Sequence, residues 1–279
     1  MTQNTHRLPA LTLALLLCST APQVLSGQAP GSVVAADPRV QGLTYTMEET
    51  GEEVPYALFV PSYYDSSREW PLIVALHGLG RPYDWVMGYE GYIDMAERDG
   101  YITVTPKGYH PRAWYGSRGD GIPRGAAPEA EQGNLPDNLG ELGEKDVMNV
   151  LEIVRDRYNI DETRIYLWGH SMGGAGTYHL AAKYPDIWAA VGVAAPAPSA
   201  APEQLESFVH IPIIALQGDE DGLVTTTRRW VTKMSELGMQ HVYIEIEGGD
   251  HSRFINSSAE TVSKLFSFFD IVRKDQLGR

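Results

Sequence analysis

The feature of this sequence that most restricts its fold is a series of short apolar segments separated by longer amphipathic ones. Residues 71–76 are apolar throughout and rich in branched side chains, as expected of a strand buried on both faces of a parallel sheet. Similar segments recur at residues 101–105, 164–168, 189–194, 211–216 and 242–246, with helical patterns at 144–158, 172–184, 226–237 and 256–273. Strands alternating with helices predict an α/β fold whose mostly parallel sheet has helices on both faces.

The remaining segments predict a hairpin and two loops of contrasting length. Residues 43–48 and 54–60 alternate in polarity around Thr50-Gly51, a pattern typical of a β-hairpin. The connection over residues 196–210 is too brief to hold a large lid domain. The connection over residues 109–143 is long and rich in Gly and Pro, so we expect it to be functional or mobile.

Length and charge exclude several classes of protein. The 279 residues contain no internal repeat and suit one folded domain. The formal net charge of −14 at pH 7 argues against nucleic-acid binding, which requires a basic surface. The acidic total favours neutral or weakly polar substrates.

The N-terminus has the layout of a secretory signal peptide. Basic His6 and Arg7 precede an apolar run too short to span a bilayer, and small residues follow through Ser26. We therefore predict a leader over residues 1–26, a folded domain over 27–279, a secreted or periplasmic location and no membrane anchor. A buried helix is the alternative, and a lipoprotein site at Cys18 is disfavoured by the bulky Leu17. Because Cys18 is the only cysteine and lies in the predicted leader, we expect the mature chain to have no disulfide and no cysteine nucleophile.

The strongest local motif is Gly169-His170-Ser171-Met172-Gly173-Gly174, between a predicted strand and a predicted helix. In that context G-x-S-x-G forms a sharp turn that exposes the serine hydroxyl above the sheet. Backbone N–H groups at the start of the helix then favour negative charge at the same point. The motif predicts that Ser171 is a nucleophile.

A serine nucleophile needs a base and an acid that orients the base. His251 follows the last predicted strand on a Gly-containing loop. In proteins with this strand–turn–helix motif, the nucleophile, the acid and the base occur along the chain in the order Ser, Asp, His, and His251 satisfies that order. Asp221 lies three residues beyond Gly218, which lets the loop turn back toward His251. Asp219 is the second candidate for the acid and Glu220 the third. For the oxyanion we expect the backbone N–H groups of Met172 and Leu79.

These motifs resemble those of α/β-hydrolases. The wider pattern is similar to the branch that holds feruloyl esterases, acetyl-xylan esterases and polyhydroxybutyrate depolymerases. The residues that show this similarity are Lys145-Asp146-Val147, Tyr158-Asn159-Ile160-Asp161, Arg164-Ile165-Tyr166 and the turn Gly169–Gly174, called the elbow below. The resemblance covers about residues 42–272. It implies the α/β-hydrolase fold and a Ser-His-Asp site, whereas the elbow sequence His-Ser-Met and the long 109–143 loop depart from the compact members.

Three further residues are candidates for substrate binding. Trp114 and Tyr115 lie on the long loop at the catalytic end of the sheet, where aromatic faces suit an aryl acyl group or a sugar ring. The alternative is that they anchor the loop. His170, within the elbow, is the third candidate. Asp146 is expected to cap a helix, and Asp250 to make local hydrogen bonds.

The sequence therefore predicts a serine carboxylesterase acting on feruloyl or acetyl esters of plant polysaccharide. Its partner is a small or polymer-linked ester, and neither a cofactor nor a metal is expected, because no metal-ligand spacing, phosphate loop or dinucleotide fingerprint occurs. The alternatives are a polyester depolymerase of the polyhydroxybutyrate type, a small peptidase resembling the prolyl-oligopeptidase catalytic domain, and a non-catalytic binding protein on a hydrolase scaffold.

Overall fold

The computed structural model describes residues 32–276, so the predicted leader lies outside the described residues. An eight-stranded sheet forms the centre, in the order β1-β2-β4-β3-β5-β6-β7-β8. Its strands are β1 (Val40–Met47), β2 (Glu52–Phe59), β3 (Trp70–Leu76), β4 (Ile102–Pro106), β5 (Ile160–His170), β6 (Ala190–Ala194), β7 (Ile213–Gly218) and β8 (His241–Ile246). The β1–β2 and β2–β4 pairs are antiparallel, and the other five pairs are parallel.

Helices cover both faces of this sheet. They are α1 (Val33–Ala36), α2 (Tyr92–Asp99), α3 (Glu129–Gln132), α4 (Leu139–Arg157), α5 (Met172–Lys183), α6 (Val224–Glu236), α7 (Arg253–Asn256) and α8 (Ala259–Asp270). Along β3, Leu72 and Val74 join a core with α4, α5 and α6, whereas Ile73 and Ala75 join a second core with α2 and α8. The alternation arises because successive strand side chains point to opposite faces.

The predicted fold class is confirmed, with local differences. The hairpin and the parallel strands form where the apolar segments predicted them. The helices α1, α2, α3 and α7 were not predicted, and the last predicted helix, over residues 256–273, is the shorter α8. Between β6 and β7 the chain holds only the 3-10 helix Pro202–Phe208, so this connection has no large lid. Within residues 32–276 no helix is long and apolar enough to cross a membrane.

The prediction that Asp146 caps a helix was wrong. Helix α4 begins at Leu139, inside the segment predicted to be a loop, so Asp146 lies in the helix interior. Its fully buried carboxylate accepts hydrogen bonds from the Tyr45 hydroxyl at 2.7 Å and the Tyr109 backbone N–H at 2.8 Å. Asp146 thus joins α4 to β1 and to the loop after β4. Burial raises the pKa of Asp146 to about 6.

This raised pKa predicts a stability that depends on pH. The unfolded chain releases the Asp146 proton near pH 3.9, whereas the folded chain retains it until about pH 6. Because the folded state binds more protons in that interval, its free energy of unfolding falls as pH rises. Relative to Asp146→Asn, the protein should lose about 3 kcal/mol of its free energy of unfolding as pH rises from about 3 to about 7, with about 2 kcal/mol of this loss between pH 4 and pH 6. Urea unfolding of both proteins across that range checks this, and a constant difference would contradict it.

Candidate active site

Ser171 lies on a sharp, strained turn between β5 and α5. Its backbone φ is +58°, a region that a residue with a Cβ adopts only at a cost in free energy. Strand β5 ends at His170 and α5 begins at Met172, so a single residue makes the connection. The sharp turn lifts the side chain of Ser171 to the carboxyl edge of the sheet.

The glycines of the motif allow this turn by close backbone approach. A Cβ on Gly169 would lie 2.3 Å from the backbone of Gly173, and one on Gly173 would lie 2.2 Å from the carbonyl oxygen of Leu76. Heavy atoms do not come that close, so any larger residue at either position would force the backbone to move. Strand β3, the elbow and the start of α5 therefore pack against one another with no side chain between them.

The structure brings together the three side chains predicted to act as nucleophile, base and acid. The Nε2 atom of His251 lies 2.9 Å from Oγ of Ser171, and its Nδ1 atom lies 2.9 Å from Oδ2 of Asp221. The Nδ1–H donates to the carboxylate, which leaves Nε2 to accept from the serine hydroxyl. The His251 side chain is 42% exposed, whereas that of Asp221 is 5% exposed. A buried carboxylate thus holds an accessible imidazole in the tautomer that can accept a proton.

Asp221, rather than its two acidic neighbours, reaches the histidine. Its Oδ2 also accepts from Nε2 of Gln217 at 2.8 Å, and its Oδ1 accepts from the N–H of Leu223 at 3.1 Å. The buried Oδ1 of Asp219 has no hydrogen-bond partner among the described residues, and Glu220 is exposed. Only Asp221 combines burial, local hydrogen bonds and contact with the imidazole.

A close contact between two loops, which sequence reasoning missed, places Asp221 beside His251. A Cβ on Gly218 would lie 2.2 Å from the carbonyl oxygen of Gly249. The N–H of Glu220 also donates to that carbonyl at 3.0 Å. The loop after β7 and the loop after β8 therefore touch through their backbones. The two glycines were the available signal, since each lies within three residues of the end of a predicted strand.

The burial of His170 corrects its predicted place among the substrate-binding residues. It is fully buried, and its ring stacks on Trp85 with centroids 5.1 Å apart. Its Nε2–H donates to the backbone carbonyl of His251 at 2.7 Å, and the hydroxyl of Tyr89 donates to Nδ1 at 2.5 Å. Burial lowers the pKa of His170 to about 3, so the ring is neutral. His170 holds the backbone of His251 and offers a substrate no surface.

The two backbone N–H groups predicted to bind the oxyanion have no acceptor among the described residues. Among residues 32–276, neither Leu79 nor Met172 donates its N–H to another group. Met172 is the first residue of α5, where helix geometry leaves the N–H without a partner inside the helix. Leu79 lies on the loop after β3, which a hydrogen bond from the N–H of Gly80 to the carbonyl of Pro111 holds at 2.8 Å.

The aromatic pair of the long loop is enclosed by protein. Tyr115 is fully buried, and its hydroxyl donates to the carbonyl of His77 at 3.3 Å. A Cβ on Gly176 of α5 would lie 2.7 Å from the Tyr115 ring. Trp114 is 6% exposed, and the guanidinium of Arg118 covers its ring. These contacts favour the anchoring alternative for Tyr115 and leave Trp114 little surface for a substrate.

Within residues 32–276, no group of three or more His, Cys, Asp or Glu side chains is arranged to hold a metal ion. Asp250 makes the local hydrogen bonds expected of it, to the N–H groups of Ser252 and Arg253. The residues gathered at the carboxyl edge of the sheet suit proton transfer and nucleophilic attack.

A mostly parallel sheet whose central strand ends in a serine on a strand-to-helix turn places the protein in the α/β-hydrolase class. Residues 47–259 match the model of the esterase family, described as putative esterase, and the chain belongs to that family. The ferulic acid esterase from Anaeromyces mucronatus, solved in complex with ferulic acid, has a similar fold, with a TM-score of 0.64 and 17% identity. That comparison covers 84% of this chain and 90% of the other.

Two curated relatives are similar over part of the sequence. Feruloyl esterase B from Thermothelomyces thermophilus is 30% identical over 155 residues, which are 52% of this chain and 47% of the relative. A bifunctional acetylxylan esterase/xylanase from Neocallimastix patriciarum is 26% identical over 157 residues, which are 55% of this chain and 20% of the relative. The chain thus spans less than half the length of either relative.

The contact between His170 and His251 generates a prediction. His170→Leu removes the donor to the His251 carbonyl and leaves a buried acceptor unsatisfied, which costs about 1–3 kcal/mol. Because this hydrogen bond holds the backbone of His251, the imidazole should then be less well placed to accept the proton of Ser171. The kcat for ester hydrolysis should fall by about tenfold or more, which corresponds to about 1.4 kcal/mol. His170→Gln can place an N–H near the position of Nε2 and should keep most of the activity. The kcat of both folded variants checks this, and equal losses would show that the hydrogen bond does not position His251.

Proposed function

We propose that the protein is a secreted serine carboxylesterase that hydrolyses feruloyl or acetyl esters of plant polysaccharide. The observation that carries the proposal is the hydrogen-bonded chain from Ser171 through His251 to Asp221, with both contacts at 2.9 Å. These two hydrogen bonds form the arrangement that activates a serine hydroxyl in acyl transfer. Membership of an esterase family supports the same chemistry.

The first step forms an acyl-enzyme. Nε2 of His251 takes the proton from Ser171 as Oγ attacks the ester carbonyl, and the buried carboxylate of Asp221 stabilises the resulting imidazolium. The N–H groups of Leu79 and Met172 donate to the oxyanion. Each such donor is worth about 10²–10³ in turnover, because it is in place before charge develops. The intermediate then collapses, and His251 returns the proton to the departing alcohol.

The second step releases the acid. Water enters the position that the alcohol has left, His251 removes its proton, and the hydroxide oxygen attacks the acyl carbonyl. The same two N–H groups stabilise the second oxyanion. Collapse returns the proton to Oγ of Ser171 and frees the carboxylic acid. The 42% exposure of the His251 side chain gives water access to the base.

Support for the substrate class comes from the relatives. The curated relatives include a feruloyl esterase and an acetylxylan esterase, and a solved ferulic acid esterase shares the fold. An accessible site with no large lid domain between β6 and β7 suits esters attached to a bulky polymer. The signal-peptide pattern of residues 1–26 supports export to the place where such polymers are found.

The nucleophile is tested with Ser171→Ala. This variant should fold normally and retain less than about a thousandth of wild-type turnover, because the residue forms the covalent bond. A fluorophosphonate should label the wild type at Ser171 and leave the variant unlabelled. The assay compares methyl ferulate, acetylated xylan and polyhydroxybutyrate, with the exposed Ser207→Ala as control. Turnover of polyhydroxybutyrate alone would favour the polyester alternative, and unchanged turnover in Ser171→Ala would exclude this serine.

The acid is tested with a matched pair of neighbouring substitutions. Asp221→Asn places an amide opposite Nδ1 of His251, which favours the tautomer that cannot accept a proton at Nε2. It should lower kcat by several orders of magnitude, since the corresponding change in a serine protease costs about 10⁴-fold. Asp219→Asn changes a carboxylate that does not contact His251 and should have a far smaller effect. Equal losses of kcat would contradict the assignment to Asp221.

A further inference from the structure

Three segments that follow β3, β4 and β6 have a local charge opposite to that of the whole chain. Residues 77–82, 108–118 and 195–201 contain Arg81, Arg112 and Arg118 and not one Asp or Glu. The whole chain has 36 acidic and 22 basic residues, so this distribution departs from the average. The positive charge therefore lies at the same edge of the sheet as Ser171, whereas Asp219, Asp221 and Asp250 lie on the loops after β7 and β8.

Two of these arginines lie beside the loop that carries the Leu79 N–H. Arg81 follows Leu79 by two residues, and its Cζ lies 5.0 Å from the ring centroid of Trp85. The guanidinium of Arg112 lies over Gly80, where an added Cβ would be 3.4 Å from Nη2. Both side chains are exposed, so their donors are accessible to solvent.

Arg118 is held more firmly, by contacts that leave part of its guanidinium free. Its Cζ lies 3.3 Å from the ring centroid of Trp114, and its Nε donates to Oγ of Ser199 at 3.0 Å. Ser199 follows Ala197, whose N–H donates to the carbonyl of Ser171 at 3.1 Å. Two hydrogen bonds, joined by the short segment from Ala197 to Ser199, therefore link Arg118 to the backbone of Ser171. Trp114 and Ser199 fix its plane, while both terminal amino groups stay available.

No carboxylate neutralises these three guanidinium groups. Among the described residues, seven arginines form an ion pair, and Arg81, Arg112 and Arg118 are among the seven that form none. Burial alone lowers the pKa of Arg118, with no opposing contribution from an acidic neighbour. An arginine that is oriented but unpaired is suited to bind a carboxylate through two parallel hydrogen bonds.

We propose that Arg118, assisted by Arg81 and Arg112, binds a carboxylate on the substrate, so that the preferred esters are anionic. The inference rests on the proposed ester hydrolysis and narrows its substrate class. It also revises the expectation of neutral or weakly polar substrates, which came from the net charge alone. Trp114 then serves the site by supporting Arg118, with its own ring largely covered.

The test uses pairs of esters that differ only in charge. Ethyl hydrogen adipate and ethyl adipamate carry a carboxylate or its neutral amide on the acyl side. In the second pair, 4-acetoxybutanoate and 4-acetoxybutanamide, the carboxylate or its neutral amide is on the alcohol side. The wild type should show a kcat/KM at least about tenfold higher for the anionic member of one pair, the size expected of a charge-assisted hydrogen bond. The pair that shows the preference identifies the side on which the carboxylate binds.

The variants separate Arg118 from a general effect of charge. Arg118→Gln should lower kcat/KM for the anionic ester far more than for its neutral partner and so abolish most of the preference, and Arg118→Lys should retain part of it. Arg68→Gln is the matched control, because Arg68 also stacks on a tryptophan, with Cζ 3.6 Å from Trp70, but lies at the opposite end of β3. It should leave the preference intact. Added salt should reduce the preference by screening.

Binding measured without turnover keeps this inference distinct from the proposed function. Ser171→Ala should bind the preferred anionic ester about tenfold more tightly than its amide, and Arg118→Gln in that background should remove the difference. If no ester is hydrolysed but this difference remains, the proposed function fails and the anion site stands. Hydrolysis with equal kcat/KM for both members of each pair would overturn the anion site. A loss of preference in Arg68→Gln equal to that in Arg118→Gln would also overturn it.

Discussion

The site depends on the contact between the backbone of Gly173 and the end of β3. A Cβ at Gly173 would lie 2.2 Å from the carbonyl oxygen of Leu76, so α5 can begin directly above the sheet only if this residue has no side chain. That contact brings the N–H of Met172 toward the loop that carries the N–H of Leu79. It also supports the positive φ of Ser171, whose unfavourable backbone conformation must be offset by packing around it.

A second constraint fixes the position of His251. His170 and Ser171 are neighbours in sequence, but the turn directs the side chain of His170 into the core and that of Ser171 outward. The buried His170 ring donates to the carbonyl of His251, while the Ser171 hydroxyl meets the imidazole of the same residue. The loop after β8 is thus fixed to the end of β5 through both its backbone and its side chain.

The sequence predicted the parts of the structure that short-range patterns encode. Buried strands, the elbow and the order of Ser171, Asp221 and His251 follow from apolar runs and glycine positions within a few residues. It misplaced His170 and Asp146, whose surroundings come from distant segments: Tyr89 is 81 positions from His170, and Tyr45 is 101 positions from Asp146. Helix α4 begins earlier than predicted, because residues 139–143, which include two glycines, were assigned to a loop.

The long loop shows how an irregular segment can present one ordered side chain. Trp114 and Tyr115 both have positive φ, which costs free energy and requires strong packing to persist. Tyr115 supplies that packing through its burial against α5 and its bond to the carbonyl of His77. Trp114 then forms a firm base for the guanidinium of Arg118. An arginine on a mobile loop would lose conformational entropy on binding, whereas an arginine already oriented by stacking loses less. The aromatic pair therefore contributes to recognition through the rigidity it gives its neighbour.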